Sequence, residues 1–121
     1  MENDLPGVLE KKLGVIFPDP TVREQVIEIL SRYGTEAHEK EIVRVRLDIL
    51  KLAGNAVEEV ETWVALAKRD YRDILASAEY PGELLAPTWS MPKDEVVKIR
   101  TADRDQYEAW VGRREQADEQ S

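Results

Sequence analysis

The chain has 121 residues, with 25 acidic residues against 17 lysines and arginines, so its net charge is −8 at pH 7. This charge repels nucleic-acid phosphates and argues against a general DNA- or RNA-binding role, and the absence of cysteine excludes disulfides and thiolate metal sites. The acidic start does not resemble a signal peptide, and no apolar run reaches the roughly 18 residues of a membrane span, so we expect a soluble cytoplasmic protein without a membrane partner.

Two helices are predicted before residue 35. Residues 4–6, Asp-Leu-Pro, are typical of a helix start, because aspartate caps the first turn and proline fits into it. Gly14 predicts the end of this helix. A second helix opens within residues 19–24 and ends at Gly34, since glycine adopts the left-handed conformation of a helix C-terminus without strain. The second helix should pack beside the segment that follows.

The next predicted helix is unusually apolar. Thr35 follows a glycine and is placed to cap it. Apolar residues then cover most of the circumference over residues 42–53, and only a narrow polar stripe interrupts them, formed by Arg44, Asp48 and Lys51. A helix with so little polar surface is expected to be central, with neighbours on several sides.

A second long helix is predicted over residues 55–80, where apolar residues recur at steps of three and four until Pro81 ends the pattern. A short glycine-containing turn joins it to the helix before it. We therefore predict an all-α fold, an irregular bundle of four to six helices around a central antiparallel helix pair, residues 35–80.

The C-terminal part is predicted to return to helix after a loop. Two prolines interrupt residues 83–92, which should fold over the bundle. From Pro92 the helical spacing resumes, as one kinked helix or as two. Residues 1–115 are predicted to form a single helical domain. Residues 116–121 have no apolar residue larger than alanine and are predicted to be a frayed tail.

Arg46 and His38 conflict with the apolar pattern, since both are predicted to lie on the apolar arc of the central helix. A buried guanidinium is costly unless it is paired, and Asp70 or Asp73 is the predicted partner. One interpretation is a structural ion pair that sets the register of two helices. The others are a pocket in which Arg46 and His38 bind an anion, and an Arg46 side chain that extends to water.

Known catalytic and metal motifs are incomplete in this chain. His38 is the only histidine, so a zinc site with two histidines on one helix is excluded. The six glycines are isolated and form no phosphate loop. The many carboxylates lack the Glu-x-x-His pattern of helical metal centres. We therefore expect no catalytic residue, no metal and no cofactor.

Three tryptophans are many for this length, and two of them are candidate contact residues. Trp89 lies in the proline-rich loop and Trp110 near the C-terminus, and tryptophan is enriched at binding hot spots. We expect a small acidic interaction domain, adaptor or regulatory, without catalytic activity and with a basic protein partner, and self-association is left open. The alternative is a small-anion-binding or catalytic helical domain with a pocket around His38, Arg46 and Asp70.

Overall fold

The computed structural model describes residues 5–112, and the regular elements in this range are all helices, which confirms the predicted all-α class. Seven α-helices are present there, where four to six were expected. In chain order they are α1 (Leu5–Ile16), α2 (Pro20–Leu30), α3 (Ile42–Ala53), α4 (Val57–Arg69), α5 (Tyr71–Glu79), α6 (Pro81–Leu85) and α7 (Lys93–Val111), with a 3-10 turn at Thr88–Ser90.

Contacts divide the chain into two compact units, separated between Leu75 and Ala76 within α5. The single domain of residues 1–115 stays a prediction, and the predicted frayed tail lies outside the described residues. None of the helices in the described range combines the length and the apolar character needed to cross a membrane.

The core of the first unit is built around α3, as the apolar spacing predicts. Both α1 and α4 pack on α3, and α2 packs on α4. Its fully or almost fully buried side chains include Val26, Tyr33, Val45, Leu47, Ile49, Leu50, Val60 and Val64. Each large apolar side chain buried in this way contributes about 1.5–3 kcal/mol. The predicted polar stripe is wrong at Asp48, which is fully buried within α3.

The first helix of the central pair begins at Ile42, so its predicted start at Thr35 is wrong. Residues 35–41 form a loop, and Glu41, directly before the helix, has a left-handed backbone with φ of 52°. Within this loop the buried carboxylate of Glu39 accepts hydrogen bonds from backbone amides of the loop itself. Helix α1 also differs from its prediction, since it continues past Gly14.

The second helix of the pair is not continuous over residues 55–80. Asp70 is extended, with φ of −158° and ψ of 101°, and separates α4 from α5. Its Oδ1 accepts a hydrogen bond of 3.0 Å from the backbone amide of Arg72. Aspartate favours this arrangement because its short side chain satisfies an otherwise free amide at a helix start. The break therefore has a local cause.

In the second unit, α6 packs on α7 and is capped by it. Asp103, a buried residue of α7, accepts hydrogen bonds of 2.9 Å from the first amides of α6, those of Gly82 and Glu83. A Cβ atom at Gly82 would lie 2.7 Å from Asp103 Oδ1, so this approach requires glycine. Helix α7 is a single element and ends at Gly112, which has a positive φ of 92°.

Candidate functional site

The loop that contains His38 is held by the buried carboxylate of Glu39, whose side chain is 1% exposed. Its Oε1 accepts hydrogen bonds from three backbone amides, those of Gly34, Thr35 and Glu36, at 2.7, 2.9 and 3.3 Å. Its Oε2 lies 2.9 Å from Lys68 Nζ. Burial alone would raise the pKa of Glu39, but the hydrogen bonds from Lys68 and the three amides lower it to about 2. Glu39 therefore joins the loop to α4.

Lys68 completes this connection at the end of α4. Besides Glu39, its Nζ donates to the carbonyl oxygen of Arg32 at 2.8 Å and to Thr35 Oγ1 at 3.2 Å. These three acceptors match the three donors of an ammonium group. All three hydrogens of the Lys68 ammonium group are therefore used within the protein, and none remains to bind a ligand.

His38 lies on the exposed side of the same loop and outside α3, so its predicted place on the apolar arc is wrong. Its Nε2 lies 3.0 Å from the carbonyl oxygen of Lys68. Because a carbonyl oxygen can only accept, Nε2 carries the hydrogen in this contact. The imidazole therefore fastens the loop to the last turn of α4.

Tyr33 closes the loop from the inside. It is fully buried, and its hydroxyl donates to the carbonyl oxygen of Lys40 at 2.6 Å. Burial, followed by the negative charge of Glu39, raises the pKa of Tyr33 to about 12. The two ends of the loop are thus held together by a neutral phenol.

Arg46 binds a carbonyl group in place of the predicted carboxylate. Its Nε and Nη2 donate to the carbonyl oxygen of Tyr33 at 3.2 and 2.7 Å. Burial lowers the pKa of the guanidinium. Asp70 instead accepts hydrogen bonds from Arg72 Nε and Nη2 at 3.0 and 3.1 Å. Among residues 5–112 neither Asp70 nor Asp73 pairs with Arg46, so the predicted ion pair of Arg46 is wrong. Arg46 holds the turn after α2 against α3.

Replacing Arg46 with methionine is expected to lower the free energy of unfolding by about 1–2 kcal/mol. The carbonyl of Tyr33 would lose two donors, while methionine keeps most of the aliphatic packing. Urea unfolding measures this change. The matched control is Arg69→Met, at an exposed arginine of α4, which should change stability by less than about 0.5 kcal/mol. Equal stability of the two variants would contradict this role of Arg46.

The predicted anion pocket is not assembled as a set. His38 and Asp70 line a concavity of about 250 Å³, together with Arg69, Tyr71 and Arg72. Arg46 is not among these lining residues. Hydrogen bonds from Arg72 hold the pKa of Asp70 below its usual range, so one of the guanidinium groups is already matched by a carboxylate. Asp73 lines a second concavity, of about 470 Å³, which it shares with Asp70 and Trp63.

The strongest candidate for a binding site lies in the second unit. We call it the Trp89 groove, a surface concavity of about 720 Å³ whose lining includes Tyr80, Leu84, Trp89, Glu83 and Arg100. Trp89 is 88% exposed, and Leu85, which directly follows the lining residue Leu84 in the sequence, is 85% exposed. Exposed aromatic and aliphatic side chains that lie close together are found at protein-interaction sites more often than on the rest of a protein surface.

Contacts between α6 and α7 shape the Trp89 groove. Glu83 accepts hydrogen bonds of 3.2 Å from both Nε and Nη2 of Arg100, which joins the polar side of the groove across the two helices. The Asp103 cap fixes the start of α6 on α7. After α6, the extended residue Ala86 and the 3-10 turn at Thr88–Ser90 present Trp89 to solvent. The groove is therefore held by contacts between α6 and α7.

The two tryptophans selected from the sequence lie in different surroundings. Trp110 is half-buried in α7, with its ring centroid 6.2 Å from that of Tyr107, and does not line the Trp89 groove. Sequence reasoning missed Tyr80, Leu84 and Arg100. Tyr80 and Leu84 are four residues apart at α6, but no local pattern relates them to Arg100, which the packing of α6 on α7 brings to the groove.

Comparison with known proteins identifies no relative: no protein-family model, curated protein or solved structure matches this chain. Of the site residues predicted from the sequence, Trp89 is the one that lines the Trp89 groove.

Proposed function

We propose that this chain is a cytoplasmic protein-interaction domain, adaptor or regulatory in role and without catalytic activity, that binds a segment of a partner protein in the Trp89 groove. The supporting observation is Trp89 itself, 88% exposed beside an open groove with both apolar and polar lining residues. A tryptophan contributes a large, rigid contact area at low cost in conformational entropy, which makes it a frequent hot-spot residue.

The expected energies indicate whether Trp89 is enough to hold a partner protein. Covering an exposed tryptophan side chain removes roughly 200 Å² from water. At about 25 cal/mol per Å² this contributes about 5 kcal/mol. Association itself costs about 4–15 kcal/mol. Trp89 alone therefore does not hold a partner, and Tyr80, Leu84 and the polar side of the groove must contribute as well.

The net charge of −8 attracts or repels an approaching protein at long range, before the groove is reached. It favours a partner protein that is basic overall, and it opposes self-association because two copies repel each other. The chemistry of the segment inside the groove depends instead on the charges next to it.

In affinity capture from a lysate, Trp89→Ser is expected to retain at least tenfold less of a stoichiometric partner than the wild-type chain, because the variant removes a hot-spot side chain. Quantitative mass spectrometry of the captured proteins measures this ratio. The matched control is Val15→Ser, which changes an exposed apolar residue of α1 and should leave capture unchanged. Both variants should fold as the wild type does, since both side chains are exposed.

Equal capture by the wild type and Trp89→Ser would contradict the proposed function. Mass spectrometry of the purified protein tests the alternative in the same experiment. A small anion that copurifies with the wild type and with Trp89→Ser would support the anion-binding domain predicted around His38.

A further inference from the structure

On its α7 side, the charges near the Trp89 groove differ in sign from the charge of the whole chain. Arg100 is the residue that α7 contributes to the groove lining. At about 100° per residue, Lys93, Val97 and Arg104 all lie within about 60° of Arg100 around the axis of α7. All four residues are exposed. We call the three cations, Lys93, Arg100 and Arg104, the basic edge of the groove.

The acidic residues of α7 lie on other parts of its surface. Asp94, Glu95 and Asp105 are more than about 100° away from Arg100, and the half-buried Glu108 is about 80° away. Asp103 is closer in angle, but it is buried and caps α6. The helix therefore places three of its four cations on the side that carries Arg100 and most of its exposed carboxylates elsewhere.

The cations of the basic edge are only partly matched. Arg100 is bound to Glu83, as described above. Arg104 Nε lies 4.0 Å from Asp105 Oδ1, a long and exposed contact. Lys93 makes no ion pair with any other residue in the range 5–112. Surface ion pairs of this kind contribute about 0–1 kcal/mol, so an incoming carboxylate can compete with them.

From this arrangement we infer that the segment bound in the Trp89 groove is acidic and amphipathic. This inference rests on the proposed function. Bulky apolar side chains of the segment contact Trp89 and Leu84, and its carboxylates pair with the basic edge. A basic segment would place like charges beside Lys93 and Arg104, which is unfavourable.

A second copy of this chain fits the groove poorly. In a twofold-symmetric dimer the same patch faces itself. The two basic edges would then approach each other, and the long-range repulsion between two chains of net charge −8 would remain. A separate acidic segment avoids the first of these costs and contributes the missing negative charge locally.

Selection from a random peptide library displayed on phage tests this inference, with the whole wild-type chain as the target. We expect the selected peptides to carry Asp and Glu around Leu, Phe or Trp. A synthetic peptide of a selected sequence is then titrated into each variant by isothermal calorimetry. Trp89→Ser should abolish its binding, and added salt should weaken it.

A pair of charge reversals on α7 isolates the basic edge. Lys93→Glu should weaken binding of the selected peptide about fivefold to tenfold, because it replaces an attraction with a repulsion. Lys98→Glu makes the same change of net charge on the same helix, but about 160° away from Arg100, and should change affinity less than about twofold. Lys93→Glu should not impair folding, since an acidic residue is favourable in the first turn of a helix.

The possible results separate this inference from the proposed function. Basic or uncharged peptides that need Trp89 but bind Lys93→Glu as well as they bind the wild type would overturn the inference and leave the proposed function standing. A selection that yields no Trp89-dependent peptide would overturn both.

Discussion

Replacing Glu39 with glutamine is expected to lower the free energy of unfolding by about 3 kcal/mol. The substitution leaves Lys68 without its anionic partner, and it weakens the acceptor that three loop amides share. Urea unfolding at pH 7 measures the loss. Glu36→Gln, at an exposed position of the same loop, is the matched control and should cost less than about 0.5 kcal/mol.

The same carboxylate predicts how stability depends on pH. Glu39 has a pKa lowered from 4.5 to about 2 in the folded chain, so its stabilisation is complete above about pH 4.5 and is lost as the pH falls through about 2. In that interval the unfolded chain binds the proton first. The stability difference between the wild type and Glu39→Gln should therefore shrink as the pH is lowered from 4.5. A difference that stays constant down to pH 2.5 would contradict this account.

The second large effect is expected at Asp103. Asp103→Ala removes the acceptor of both capping hydrogen bonds of α6 and should lower the free energy of unfolding by about 2 kcal/mol. Hydrogen exchange should also accelerate at the amides of Gly82 and Glu83, which measures the loss where it arises. Asp94→Ala, at an exposed aspartate of α7, is the control and should cost a few tenths of a kcal/mol.

A double-mutant cycle between Gly82 and Asp103 tests the geometry of this cap. Gly82→Ala should destabilise the wild type, because the new Cβ atom would lie 2.7 Å from Asp103 Oδ1. In the Asp103→Ala background that carboxylate is absent, so the same change should cost much less. Additive effects of the two substitutions would show that the contact does not determine stability.

Several elements of the fold could be predicted from the sequence because their causes are local. The apolar spacing of α3 and α4, Pro81 after the end of α5 and Gly34 after α2 each act through residues within one or two turns, whereas α6 lies where a loop was predicted. The break at Asp70 also has a local cause, since its side chain binds an amide two residues away. The apolar spacing continues across Asp70 although the helix does not, so helical spacing alone does not locate the break.

Other features depend on residues far apart in the chain. The loop before α3 is held to α4 by the pair between Glu39 and Lys68, which lies 29 residues later, and no local pattern identifies that partner. The predicted Arg46 ion pair was wrong for a related reason. A helical wheel indicates which face Arg46 lies on. It does not show that the guanidinium donates to a backbone carbonyl of the preceding turn and not to a carboxylate.

The sequence by itself determined the helical class of this protein, its overall negative charge and Trp89 as a candidate contact residue. Only the tertiary structure decided that Trp89 is exposed in one groove with Tyr80, Leu84 and Arg100. The physical reason is that packing between helices, and not the neighbouring sequence, forms the groove. Helix formation and net charge follow from neighbouring residues or from composition, whereas a surface groove and its local charge follow from which helices pack together.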